Sequence, residues 1–163
     1  MIDINIEIDL SEIENLSKNV DQLCNHAITA GIHSDTDKAL YKKKGANGKH
    51  LSVLDIAFFN YYGTHKTPPR KFTDAAIEKY RDKIEEMGMN CILKAINNDT
   101  VPYDVVGKAM ANMISDVIIR KEVVPTRNSA NTIRRKGFDH PLLETGLFLS
   151  YIVHKIHVGG IRV

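Results

Sequence analysis

The hydrophobic pattern changes period several times along this 163-residue chain. Ile2, Ile4, Ile6, Ile8 and Leu10 alternate with Asp3, Asn5, Glu7 and Asp9, which predicts a strand with one apolar and one acidic face. Ser11 followed by Glu14 reads as a capping box, and Ile13, Leu16, Val20 and Leu23 then recur as the buried stripe of a helix. His26–Ile32 reads as a second strand. Residues 34–50 are polar and basic, carrying Lys42, Lys43 and Lys44, and predict a flexible loop, because little apolar surface offsets the entropy of ordering it. Ser52-Val53-Leu54-Asp55 is another helix start, and Gly63 stops that helix. Pro68 and Pro69 keep the following segment extended as far as Phe72.

From Thr73 to about Asn98 the apolar residues Ala76, Ile77, Tyr80, Ile84, Met87, Cys91, Ile92, Ala95 and Ile96 predict one long helix, with a kink or close approach at Gly88. Pro102 opens a third helix whose stripe is Val105, Val106, Ala109, Met113, Ile114, Val117 and Ile118. Residues 121–138 are expected to form an extended arm ending in the basic cluster Arg134, Arg135 and Lys136. A loop punctuated by Gly137, Pro141 and Gly146 follows. Near-alternation from Ile152 predicts a terminal strand that pairs with an earlier one and closes the fold. Two long helices in succession exclude a parallel βαβ sheet. The expected class is therefore α+β: an antiparallel sheet packed on two long helices plus shorter ones, with long partner-reaching loops, as one domain over 1–163.

Composition narrows the function less than it narrows the class. A net charge of +2 is too small to imply nucleic-acid binding, although residues 38–49 and 120–136 are locally basic and leave a sequence-nonspecific binder as the alternative reading. With no Trp and 7% aromatics, no stacking platform for single strands is evident. No apolar run approaches the roughly 20 residues of a membrane helix, and Met1 leads directly into the acidic alternation rather than a secretory signal. Cys24 and Cys91 lack any metal or redox spacing and read as reduced, buried thiols. The seven histidines form no HExxH motif, and His154 and His157 fall on opposite faces of the terminal strand. Asp139, His140 and Glu144 cluster in a loop, where such residues mostly cap turns. No P-loop, nucleophile elbow or dinucleotide turn is present, so neither a cofactor nor an enzymatic activity is expected.

Three segments in order resemble a family of tailed-phage tail and neck components, the minor tail or head–tail joining (tail completion) proteins. They are GKHLSVLDIAFFNYYGT (Gly48–Thr64), PPRKF (Pro68–Phe72), and Asn128–Ile152 with its TIRRKG and PLLETG runs. The last is similar to the family's T-I-x-x-K-G … P-L-[IL]-[DE]-T-G-x-L segment. Tyr61, Lys71, Phe148 and Tyr151 depart from the family pattern. The resemblance implies a virion protein that assembles into a ring, often sixfold, between the head connector and the tail tube, with DNA passing unread through the lumen. On that reading Lys42, Lys43, Lys44, Arg70, Lys71, Arg134, Arg135 and Lys136 meet partners. Phe138, Leu142, Leu143 and Phe148 anchor the interface or the core beneath it, and Gly63, Pro68, Pro69, Gly137, Pro141 and Gly146 shape the turns.

Overall fold

The computed structural model describes residues 9–35, 40–44, 50–65, 67–123, 127–143 and 146–159, with only the backbone of 40–44. The strand expected over Ile2–Leu10 lies almost wholly outside the described residues. The elements, in order, are α1 (Ser11–Cys24), β1 (His26–Gly31), β2 (Leu40–Lys44), β3 (His50–Ser52), α2 (Val53–Tyr62), α3 (Phe72–Lys79), α4 (Arg81–Ile96), α5 (Tyr103–Ile119), α6 (Ala130–Lys136), α7 (Leu147–Ser150) and β4 (Val153–Val158). The class is α+β, as the pattern of elements requires.

The terminal strand pairs antiparallel with β1, His26 opposite Val158 and Gly31 opposite Val153, so the end of the chain does close the fold. This ribbon packs on α5, where Gly107 leaves room for the His154 ring; a Cβ there would lie 2.3 Å from the imidazole. The core gathers around α5. Ala111, Ile114, Val117 and Ile118 meet Val53 and Ala57 of α2, Phe72 and Ala76 of α3, and Phe148 and Ile152 before β4.

Several expectations are corrected. Residues 40–44, including Lys42, Lys43 and Lys44, are not loop but strand β2, paired antiparallel with β3 through an irregular register. The backbone ladder supplies order that a count of apolar side chains does not register. Ser11 is the first helical residue of α1 rather than its cap; the Asp9 carboxylate instead accepts the Ser11 N–H at 2.9 Å. The apolar stripe of α1 is not buried, since Ile13, Leu16 and Val20 stay exposed. The long helix breaks at Tyr80, not at Gly88, which lies inside α4 with open space around it. Ile77, Ile92, Ile96 and Val105 of the expected stripes face solvent. The arm over 121–138 contains α6, capped by the Ser129 hydroxyl and stopped by Gly137 in the left-handed conformation. Cys24 is exposed, whereas Cys91 is buried, which pushes its thiol above the usual range.

Candidate interaction surface

Helix α2 starts where its sequence says it should. Ser52 Oγ accepts the Asp55 N–H at 3.0 Å and Asp55 Oδ2 accepts the Ser52 N–H at 2.9 Å, the reciprocal capping box. From that start Val53 and Ala57 point into the core, while Ile56 and Tyr61 are half-buried against it. The opposite side is equally apolar. Phe58 is 58% exposed and Tyr62 64% exposed, with Phe59 beside them. A helix apolar on every side ordinarily sits inside something larger.

The exposed rings are held in place from within. Phe148 meets Phe72 edge-on with centroids 5.6 Å apart, Phe72 meets Tyr61 at 5.8 Å, and Tyr61 meets Tyr62 at 4.9 Å. Tyr62 in turn lies 4.6 Å from Phe58, which touches Phe59 at 6.3 Å. Tyr61 also donates its hydroxyl to Asp74 Oδ1 at 2.6 Å, which raises the phenol's pKa. Aromatic contact therefore runs unbroken from the core to solvent. Such rings offer large rigid contact area with few rotamers to freeze.

Gly63 ends α2 with φ +78°, and a Cβ there would stand 2.8 Å from the backbone nitrogen of Pro69. Backbone hydrogen bonds between Thr64 and Thr67 then turn the chain, and Pro68 and Pro69, both exposed, bring it back beside α2. Arg70, expected at a partner surface, is instead buried at 5% exposure. Its N–H donates to the Asn60 carbonyl at 2.6 Å, and its guanidinium donates to Asn60 Oδ1 and to the Arg127 carbonyl, each at 3.1 Å. Burial lowers its pKa and nearby Asp139 opposes that. Lys71 remains exposed, 3.7 Å from Asp74.

The remaining expected residues divide between surface and structure. Arg134 and Arg135 are exposed in the last turn of α6, where the helix dipole favours cations. Lys136 turns inward on its own loop, donating to the His140 carbonyl at 2.8 Å with its ammonium 5.0 Å from the Phe138 ring centre. Phe138 is 42% exposed, Leu142 and Leu143 are half-buried, and Phe148 at 3% exposure is core. Gly137 and Gly146 take positive φ, as does Leu142 (φ +62°), and Pro141 is buried. Asp139 staples this loop by accepting the Asn128 N–H at 2.7 Å, which holds its carboxyl below the usual range, and His140 Nε2 lies 2.8 Å from the Ile118 carbonyl. Asp139 and His140 are thus engaged in shaping the loop.

A second apolar face lies between α1 and α4. Ile13 and Leu16 line a groove of about 510 Å³ with Ile96, rimmed by Glu12, Asn15, Asn19, Asn97 and Asn98. Asn19 donates to Asn98 Oδ1 at 3.1 Å across it. Val20, Met89, Ile92 and Leu93 are also exposed on these two helices. Among the described residues no group of three His, Cys, Asp or Glu side chains is placed to hold a metal ion, and no helix is long and apolar enough to cross a membrane.

From the sequence, Phe58, Phe59 and Tyr62 are expected only as part of a short helix. The signal for more was present, since VLDIAFFNYY offers an apolar residue on every side. No family model, no curated protein and no solved structure matches the chain.

Proposed function

We propose that this protein is a structural subunit of the neck or upper tail of a tailed phage, assembling with copies of itself into a ring that joins or completes the tail and lets DNA pass. The observation that carries the reading is the row of exposed, mutually braced aromatics Phe58, Phe59 and Tyr62 on a helix that is apolar all round. Exposed aromatic anchors set in a rigid frame suit a protein–protein contact. The likeness of residues 48–64, 68–72 and 128–152 to tail-completion proteins supplies the biological setting.

The α1/α4 face is a second apolar surface on different elements. Two unlike sticky faces on one chain fit head-to-tail contact, which gives a ring when the rotation between copies closes, better than a two-fold dimer built on a single self-complementary patch. In this reading α2 of one copy meets α1 and α4 of the next.

The test is sedimentation velocity and negative-stain imaging of the full chain, alone and with portal or tail-tube proteins. Rings or ring fragments are expected for the unaltered protein. A combined Phe58→Asp, Tyr62→Asp variant is expected to stay folded by circular dichroism but sediment as a monomer. A wild-type chain that remains monomeric at high concentration and ignores those partners overturns the reading, as does unimpaired assembly of the variant. Tight duplex-DNA binding, with an affinity that falls steeply with salt, would favour a nucleic-acid role instead.

A further inference from the structure

On the face of the β1–β4 ribbon that turns away from α5, two imidazoles share one hydroxyl. The register sets Thr29 opposite Lys155 and Ala27 opposite His157, so Thr29, Lys155 and His157 lie on this face while His154 lies on the other, against α5. Thr29 Oγ1 is 2.9 Å from His33 Nε2 and 2.8 Å from His157 Nε2. The contact ties together the end of β1, the residues just after it, and the C-terminal strand.

A hydroxyl has one proton to give and two lone pairs to receive. When both rings are neutral the three groups satisfy one another. One Nε2 accepts the threonine proton and the other, in its Nε2–H tautomer, donates to Oγ1. When both rings are protonated, each Nε2 is a donor aimed at the same oxygen, and the threonine proton loses its acceptor within the trio. Two positive charges then flank one oxygen. Among the described residues, the other charged and titratable groups acting on His33 are Lys155, Asp35 and His154. Lys155 is paired with Asp35, and His154 with Asp104, which also holds Lys108. The second proton therefore enters a place where the neighbouring carboxylates already have cationic partners.

We propose that Thr29, His33 and His157 form a proton-sensitive clasp that fastens the C-terminal strand to β1 at neutral pH and loosens when the second imidazole is protonated. Burial, foremost, and then Lys155 push His33 below its ordinary pKa, while Asp35 opposes them. The sign follows from linkage. A histidine with a lowered folded pKa contributes stability that is complete above its unfolded value near 6.5 and is lost as the pH falls through the folded one. The clasp is independent of the ring assembly proposed above.

Amide hydrogen exchange of the full chain at pH 7.5 and 5.5 tests it. Each rate is divided by the unstructured rate at the same pH, so that only protection is compared. Protection of β1 and β4 is expected to fall on acidification by up to about tenfold, the ceiling set by pH 5.5 lying one unit below the unfolded histidine value of 6.5. His33→Gln keeps a neutral partner for Thr29 but cannot titrate, and is expected to remove most of that fall. Equal protection at the two pH values in the wild type overturns the proposal, as does an unchanged fall in H33Q. Should H33Q not fold, NMR titration of the unaltered protein decides. The His33 ring is expected to titrate below the ordinary histidine value, and titration of that ring at or above the ordinary value overturns the clasp.

Discussion

The Arg70 guanidinium holds three stretches of chain together: the end of α2 through Asn60, its own extended segment, and the start of the 127–139 loop through the Arg127 carbonyl. A basic residue between two prolines and a phenylalanine has the sequence profile of a surface contact. Its stem fits the interior only because α2 and the 127–139 loop converge there from distant parts of the chain. Arg70→Met preserves the stem but strands the Asn60 amide oxygen and the Arg127 carbonyl, and should cost roughly 3 kcal/mol of unfolding free energy in urea titration. A purely partner-facing arginine would leave that titration unchanged. Gly63 is constrained differently, by positive φ and by Pro69 at its back. Gly63→Ala is expected to lose about 2 kcal/mol in the same titration. This requirement was legible locally, because a glycine directly after an apolar helical run, followed by Thr and two prolines, marks a stop.

At the scale of elements, local chemistry and long-range contact divide the outcome. The start of α2 was readable because Ser52 and Asp55 are three residues apart and complete each other's hydrogen bonds without outside help. Ser52→Ala should therefore destabilise the protein by about 1 kcal/mol, measurable as a lowered denaturation midpoint with an unchanged slope. Ser11 and Glu14 carry the same spacing without forming the box, since the Asp9 carboxylate takes the Ser11 N–H. The break between α3 and α4 was not readable. It falls at Tyr80, whose hydroxyl donates to Asp116 Oδ2 at 2.5 Å on α5, where Lys79 and Arg120 converge as well. These bonds, Tyr80's foremost, hold the Asp116 carboxyl well below the usual carboxylate range. Its contribution to stability is present above the unfolded value near 3.8 and is lost as pH falls through the lower folded value. Asp116→Asn is accordingly expected to lower the urea midpoint at pH 7 and to flatten the acid limb of stability against pH. Helix α6 has no apolar period in ANTIRRK to announce it; its cap at Ser129 and its left-handed stop at Gly137 hold it instead.

At the scale of the whole molecule, two unlike apolar faces have separate consequences. If α2 of one copy meets α1 and α4 of the next, the Phe58→Asp, Tyr62→Asp variant retains an intact groove, and an Ile92→Asp variant retains intact aromatics. Each alone is expected to sediment as a monomer, and an equimolar mixture as a two-chain species with a single junction. A mixture that stays monomeric would exclude that pairing. A stripe at helical spacing says that a face is apolar, but not whether this chain or another covers it.

By itself the sequence determined what near neighbours along the chain can settle. It set the α+β class through the order of its periodicities, the capping box at Ser52, the stop at Gly63, and a terminal strand in need of an earlier partner. Only the tertiary structure decided that this partner is β1, that Arg70 is buried, that the long helix breaks at Tyr80, and that Ile13, Leu16, Ile92 and Ile96 face solvent. The physical reason is range. Hydrogen bonds and steric limits within about four residues are written into adjacent letters, whereas burial is a property of which surfaces meet, and the surfaces that meet here lie tens of residues apart.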